Sequence, residues 1–280
     1  MANQVMTAGT ELSVIVPEIW SQNYYDVLLA ELPFNAIVSR DYEGEIANLG
    51  DTVRISSFPE FNEGDIIAEG AAADAESVTI TQQSLVINKR IVKDFILTNK
   101  AMLQSLPAMD KLQQMAVYAV NKKIQTEIIA DIVPSASAPD HQIAYDSGTT
   151  LALADILEAK ELKDTQDVPM GDRHSVLGAA QLNDVFNITG FTSSDFLVSG
   201  APVQTGQLPA ALLGYMPHFT TVVGNTSYWF HRSFMTMAAQ QGLNISVYDL
   251  GVEGKRAVRV NIDALIGIKQ LDDERVVTLS

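Results

Sequence analysis

Two alternating stretches, separated by a segment that cannot build a core, constrain this chain more than anything else in it. Asp51-Thr-Val-Arg-Ile-Ser-Ser-Phe58 puts Val53 and Ile55 on one side and stops at Pro59. Ser77-Val-Thr-Ile-Thr-Gln-Gln-Ser-Leu-Val-Ile87 sets Val78 and Ile80 against Thr79 and Thr81. Alternation with period two and a proline stop is strand grammar. Between them, residues 60–76 hold six acids, Gly64, Gly70, a triple alanine and few large apolar side chains. Such a composition cannot anchor a core. The economical reading is a long two-stranded arm. A ribbon of two strands is marginal alone, and its open edges invite a partner surface.

Charge sharpens that reading. Residues 40–76 carry ten acids against Arg40 and Arg54, whereas residues 89–123 carry Lys89, Arg90, Lys93, Lys100, Lys111, Lys122 and Lys123 against Asp94 and Asp110. These blocks are either two solvated faces, or they pair within the fold or between copies; an arm that projects from the body favours copies. The candidate subunit-interface residues are Arg54, Glu60, Glu63 and Asp65 on the arm, with Lys89, Arg90 and Lys93 as their counterparts.

The strongest helix follows. Ser105-Leu-Pro107 opens it, and Leu112, Met115, Ala116, Ala119, Ile124, Ile128 and Ile132 recur at helical spacing, with Lys111, Gln114, Lys122 and Gln125 elsewhere on the wheel. About 25 residues span roughly 38 Å. It reads as a structural axis. Upstream, a helical stretch is expected from Trp20 to Leu32, ended by Pro33. Downstream come a loop over residues 135–150, a helix over Leu151 to Lys163 capped by Thr150, a turn at Asp167-Val-Pro-Met-Gly171, a short strand Ser175-Val-Leu177 and a helix from Ala179 to Phe186. Residues 191–214 read as Gly/Ser/Thr/Pro-rich loops. Strands are expected at Phe219–Val223, Ser227–His231, Gly242–Tyr248, Ala257–Ile262 and Arg275–Leu279, with Asp272-Asp-Glu274 as a hairpin turn.

Composition excludes several function classes. The 280 residues are 47 % apolar and 19 % charged, enough for a sizeable core. The absence of cysteine removes disulfide scaffolds, thiolate metal sites and cysteine nucleophiles. A net charge of −16 argues against broad nucleic-acid gripping. No run of about 18 apolar residues is present, and no basic residue precedes Arg40, so a secretory start is not expected. The chain reads as soluble and intracellular. His141, His174, His218 and His231 form no zinc motif, Gly254-Lys255 fails the phosphate-loop spacing, and GxGxxG and GxSxG do not occur. Asp164, Asp167 and Asp172 miss the calcium-loop spacing and read as a solvated turn. No catalytic, cofactor-binding or metal residue is assigned, and an enzyme is not expected.

The order of parts resembles the major capsid protein of tailed double-stranded DNA bacteriophages, the Hong Kong 97 fold. Three stretches carry the resemblance. Leu157-Glu-Ala-Lys160 through Val168-Pro-Met-Gly-Asp-Arg173-His-Ser-Val-Leu177 is similar to the family's helix followed by a "VP-x-x-DR-x-x-VL" passage, although Gly178-Ala179 stands where Ser-Pro is usual. Thr205-Gly-Gln-Leu-Pro209 with Leu213-Gly-Tyr-Met-Pro217 is like the segment leading to a "Gly-aromatic" strand. Phe230-His231-Arg-Ser-Phe-Met-Thr-Met-Ala238 is like "F-H-x-x-A-x-x-x-A", with Phe234 replacing the first alanine.

The resemblance implies an α+β fold with an N-terminal arm (1–39), an extended loop with flanking strands (40–98), a spine helix and peripheral domain (99–190), an axial-domain region (191–245) and closing strands of the peripheral domain (246–280). It implies a structural role: pentamers and hexamers forming an icosahedral head around double-stranded DNA, in the virion and, during assembly, the host cytoplasm. The arm would lie over the neighbouring subunit. The expected partners are copies of the chain, a portal protein, a cement protein, non-specifically packaged DNA and, since the arm begins so early, a separate scaffolding protein. No cofactor is implied. An inner wall that is not basic would let DNA pack without sticking. The family's lysine–asparagine crosslink looks unavailable, because no lysine lies between Asp51 and Ser84. An encapsulin-type nanocompartment shell shares the fold and is the alternative.

Overall fold

The computed structural model describes residues 29–46, 52–59, 61–64, 66–67, 76–98, 108–146, 148–192, 211–253 and 257–280. Their elements, in chain order, are α1 (Phe34–Ile37), α2 (Glu43–Ile46), β1 (Thr52–Ser57), β2 (Thr81–Val86), β3 (Lys89–Thr98), α3 (Ala108–Ala130), β4 (Gln142–Ile143), α4 (Leu153–Thr165), β5 (Arg173–Leu177), α5 (Ala179–Asn187), α6 (Thr189–Thr192), β6 (Met216–Phe219), β7 (Ser227–His231), β8 (Met235–Asp249), β9 (Ala257–Gln270) and β10 (Val276–Leu279). The strands form three sheets: the ribbon β1-β2, the long sheet β3-β9-β8, and a five-stranded sheet ordered β4-β10-β7-β5-β6.

The five-stranded sheet is buried on both faces. Val176, Phe230 and Val276 enter one core with Phe34 of α1 and the α3 stripe, while Leu177, Trp229 and Val277 enter a second core with Ile156 of α4 and Val185 of α5. Adjacent residues thus point into opposite cores, which is why these strands read as continuous apolar runs. Helix α3 buries Ala116, Val120, Ile124 and Ile128, one residue every four, against the long sheet. At 23 residues it is about 35 Å long. Leu112, expected on that face, is instead 41 % exposed, whereas Gln125 is buried and its Nε2 donates to Thr220 Oγ1 at 3.4 Å.

Two short links carry the chain between the sheets and are pinned to each other. Residues 232–234 lead out of β7 into β8, and residues 271–275 lead from β9 back into β10. Leu271 and Asp272 N–H both donate to the Phe234 carbonyl, at 2.8 and 3.2 Å. Arg275 Nη1 donates to Ser233 Oγ at 2.6 Å, and its Nε pairs with Asp272 at 2.7 Å. Asp272-Asp-Glu274 is therefore not a hairpin turn, because β9 and β10 belong to different sheets. The strand expected at Phe219–Val223 starts three residues earlier, as β6, and ends at Phe219: Thr220 turns away, its Oγ1 donating to the Glu31 carbonyl at 2.7 Å, and Gly224 completes the turn at φ +65°. The strands expected at Gly242–Tyr248 and Ala257–Ile262 are the second half of β8 and the start of β9, both much longer. Helix α4 begins at Leu153, two residues late, because Asp155 accepts the Ala152 N–H at 2.7 Å; Thr150 is not its cap.

Leu29–Leu32 are not helical, and the rest of the helix expected from Trp20 lies outside the described residues, as do Ser105–Pro107, Thr205–Pro209 and most of 191–214. Gly178 in place of the usual Ser has a steric reason. A Cβ there would stand 2.3 Å from the Gly224 carbonyl oxygen.

Candidate assembly surface

The arm is real at its base. β1 and β2 pair antiparallel from Thr52 opposite Val86 to Ser57 opposite Thr81. Leu85 is fully buried with Ile87 and Ala238, and Tyr42, Val53, Ile55 and Leu265 pack against them. The approach to β9 is close. A Cβ on Gly267 would lie 2.6 Å from the Val86 carbonyl oxygen, so only glycine lets β2 seat there. Gln83 Nε2 adds a bond to the Leu271 carbonyl at 2.8 Å.

Beyond the paired strands, the described residues of the arm are all exposed. Asn62 N–H and Nδ2 both donate to the Glu76 carboxylate, at 3.1 and 2.8 Å, tying the two chains of the arm together. Around that tie Phe58, Phe61, Ile66, Val78 and Ile80 are exposed, Phe58 by 71 %. Among the described residues, these side chains belong to none of the buried clusters. Apolar groups clustered on a projecting ribbon are what an interaction surface looks like. Sequence reasoning passed over them by weighing the acids of the segment; the signal was large apolar residues placed where no core is possible.

The residues singled out for charge pairing fall into three groups. Arg54 and Glu63 are exposed on the arm, and Glu60 and Asp65 lie outside the described residues. Lys89 is occupied within its own chain, pairing with Asp131 at 2.7 Å and Glu127 at 3.1 Å on α3. Burial works against its charge, but the two carboxylates outweigh it and hold its pKa above the usual lysine value. Arg90 pairs with the nearly buried Asp263 at 2.9 Å while remaining 65 % exposed itself. Lys93 is exposed on β3. The basic block is thus partly spent within the fold: Lys89 fastens β3 to α3, and Arg90 and Lys93 face solvent. Beside them Asp94 contacts Arg259 and Asn261, and the Arg259 guanidinium above all lowers its pKa.

Two other polar groupings lie in the body. Arg173 is buried, with Nε to the Pro169 carbonyl at 2.9 Å, Nη1 to Asp164 at 2.7 Å and Nη2 to the Val168 carbonyl. It clamps the turn whose Asp167 and Asp172 adopt φ +52° and +53°, so Asp164 is a structural partner and not part of a solvated turn. Nearby Lys163 is fully buried with no hydrogen-bond partner for its Nζ among the described residues, and burial, with Arg173 adding to it, pushes its pKa down to about 7. His174 Nδ1 lies 3.1 Å from His218 Nε2 across β5 and β6. Among the described residues, no three His, Asp or Glu side chains could jointly hold a metal ion.

A family model described as phage capsid protein matches residues 51–280. No curated protein matches the chain. Similar solved structures include a chain from Mycobacterium phage Che8, 21 % identical with a TM-score of 0.78, covering 95 % of this chain and 97 % of that one. The capsid of Cyanophage P-SCSP1u has a TM-score of 0.78 at 10 % identity, covering 97 % and 94 %. The mature capsid of bacteriophage PhiM1 has 0.73 at 13 %, covering 100 % and 96 %.

Proposed function

Because the chain belongs to the phage capsid protein family, we propose that its copies join as pentamers and hexamers into an icosahedral head that encloses double-stranded DNA. It is a structural coat protein of the virion with a Hong Kong 97-like fold, not an enzyme. The arm is the observation that supports this mode of assembly: a ribbon seated tightly at its base, with apolar and acidic side chains beyond it that its own chain leaves uncovered. Laid over a neighbouring copy, it would bury Phe58, Phe61 and Ile80 and bring Glu60, Glu63 and Asp65 toward the neighbour's Arg90 and Lys93, with Arg54 and Lys89 at the margins. Each exposed pair contributes only about 0–1 kcal/mol, repeated at every interface of the shell. The arm, the α3 spine with the long sheet, and the region nearer the capsomer axis would be the working parts. Scaffolding, portal and cement proteins would be partners during assembly in the host cytoplasm, and DNA would be held without sequence preference.

Negative-stain electron microscopy of the purified chain, alone and beside a candidate scaffolding protein, is expected to give capsomer rings or closed shells. Nucleic acid inside them distinguishes a head from an enzyme-filled compartment. A small oligomer that never closes would overturn the proposal. Changing Glu60, Glu63 and Asp65 together to lysine is expected to abolish assembly and leave the monomer folded; normal shells would reject the charge pairing alone.

A further inference from the structure

The outer half of β8 is an edge strand without guards. The long sheet is ordered β3-β9-β8, so one side of β8 pairs with β9, and no strand among the described residues lies along the other. That outer side already accepts a partner at its start: Ser39 bridges Thr236, and Met237 N–H donates to the Ser39 carbonyl at 2.9 Å. From Asn244 to Asp249, past two irregularities, the strand runs in regular register with β9. Open edges recruit other strands unless charge or proline blocks them. β3, at the opposite edge of the sheet, carries Lys89, Arg90, Lys93 and Asp94, whereas β8 from Met235 to Tyr248 has no charge and no proline. With a net charge of −16, most faces of this chain repel a second copy. This edge does not.

The side chains of this edge are self-complementary. Ile245 and Val247 stand opposite Ile262 and Val260 of β9, which are buried in the core with α3, yet they are themselves 46 % and 57 % exposed. Asn244, Ser246 and Tyr248 alternate with them and belong to the other face. The order polar, apolar, polar, apolar, polar is thus symmetric about Ser246. We propose that two copies of the chain pair their β8 strands antiparallel about a two-fold axis at Ser246. Ile245 then lies beside the partner's Val247, covering apolar surface that one copy leaves in water, and Asn244 lies beside the partner's Tyr248. A two-fold contact uses the same patch on both copies, and directly opposed β-branched side chains are the stabilising unit of such a junction. The helices leave room for it. α3 packs over β3 and β9, and two joined β8 strands hold the two β9 strands about 14 Å apart, more than the roughly 10 Å between packed helices. The pairing rests on the reading that copies of the chain assemble, and it adds a contact separate from the arm.

With no native cysteine, every disulfide formed by a single-cysteine variant joins two chains. Asn244→Cys, Ile245→Cys, Ser246→Cys, Val247→Cys and Tyr248→Cys are each made in the full chain, assembled beside a candidate scaffolding protein, mildly oxidised and run on a non-reducing gel. Directly opposed residues of an antiparallel pair lie about 4.5–5.5 Å apart at Cα, within reach of a disulfide, and only Ser246 opposes itself. The two copies of Ile245 would be about 8 Å apart, and those of Asn244 farther. Dimer yield is therefore expected to peak at Ser246→Cys, about tenfold above Asn244→Cys. A mixture of Asn244→Cys with Tyr248→Cys should cross-link where neither does alone. Ile245→Lys, added to the Ser246→Cys chain, restores a guard to the edge and should lower the dimer about tenfold. A flat profile, a peak elsewhere, or cross-links only to a different protein overturns the pairing. So does the absence of a dimer band at every position; closed shells seen by microscopy in that case leave the coat role standing.

Discussion

The five-stranded sheet and the long sheet are finished to different degrees. Every central strand of the first sends alternate residues into two cores, so Trp229 and Phe230, or Val276 and Val277, are all fully buried. The second carries α3 on one face, with α2 and the base of the ribbon covering part of its strands, and its outer strand and the adjoining ribbon leave Val247, Tyr248, Phe58 and Ile80 in solvent. A sheet closed by its own chain holds the subunit together. A sheet left partly open has apolar surface to offer a partner. The stability of the monomer should therefore reside in the five-stranded sheet and in the core it shares with α3 and the long sheet, and its capacity to assemble in the outer half of β8 and the ribbon.

The strongest break of that division is Trp229→Ala. Its ring meets Tyr215 edge-on at 5.0 Å, and its indole N–H donates to Ser227 Oγ at 3.0 Å. Truncation should cost about 3–5 kcal/mol, read as a lower urea midpoint for the whole subunit. A comparable loss from Phe58→Ala, which touches no core, would erase the distinction. Next in size is a gain. Lys163→Met removes a buried amine that has no hydrogen-bond partner among the described residues and should stabilise the subunit by about 2 kcal/mol at neutral pH. The sign follows from linkage: the folded pKa near 7 lies below the unfolded value of 10.5, so between those values the unfolded chain binds more protons and native stability rises with pH. Lys163→Met should flatten that rise, with its advantage greatest at and below pH 7 and gone near pH 10.5.

How much of this was legible in the sequence depends on how local its cause is. The ribbon was visible because alternation and acid-rich, small-residue composition both act within forty residues, and α3 because its stripe repeats every turn. Features set by distant partners were not visible. Asp272-Asp-Glu274 has the composition of a hairpin turn, and only the pairing of β9 with β3 and of β10 with β7 shows it to be a link between sheets. Gln125 looked like a solvent-facing residue until Thr220 met it. Of the candidate assembly surface the charges stood out in the sequence, but Lys89 is spent on Asp131 and Glu127 within its own chain, and the exposed apolar residues of the arm were hidden among the acids.

Gly267→Ala tests the open side. Its new methyl group would meet Val86 backbone, which cannot rotate away, so β2 must lift at a cost of about 1–3 kcal/mol. The expected signature is local: faster hydrogen exchange across Thr81–Val86 and impaired assembly, with the amides of β5 and β7 unchanged. Loss of protection in both sheets together would mean that the ribbon's seat is part of the global fold.

The smallest effect sharpens the boundary between the sheets, where β6 lies beside the segment that leads into α1. His174 Nδ1 and His218 Nε2 face each other at 3.1 Å, with Asp172, Arg232, His231 and Phe230 around His174 and Glu31 toward His218. Burial, and then His218, hold the His174 pKa down to about 4, against 6.5 when unfolded. Between those values the unfolded chain takes up the proton and the folded chain does not, so stability falls as pH drops from 6.5 toward 4. The half-buried setting limits this to about 1 kcal/mol. His174→Phe should remove that part of the acid limb in urea titrations at pH 6.5 and 4.5, because a phenyl ring has no proton to gain. An unchanged limb would place the acid sensitivity in carboxylate pairs such as Asp164 with Arg173, which lose their charge only at lower pH.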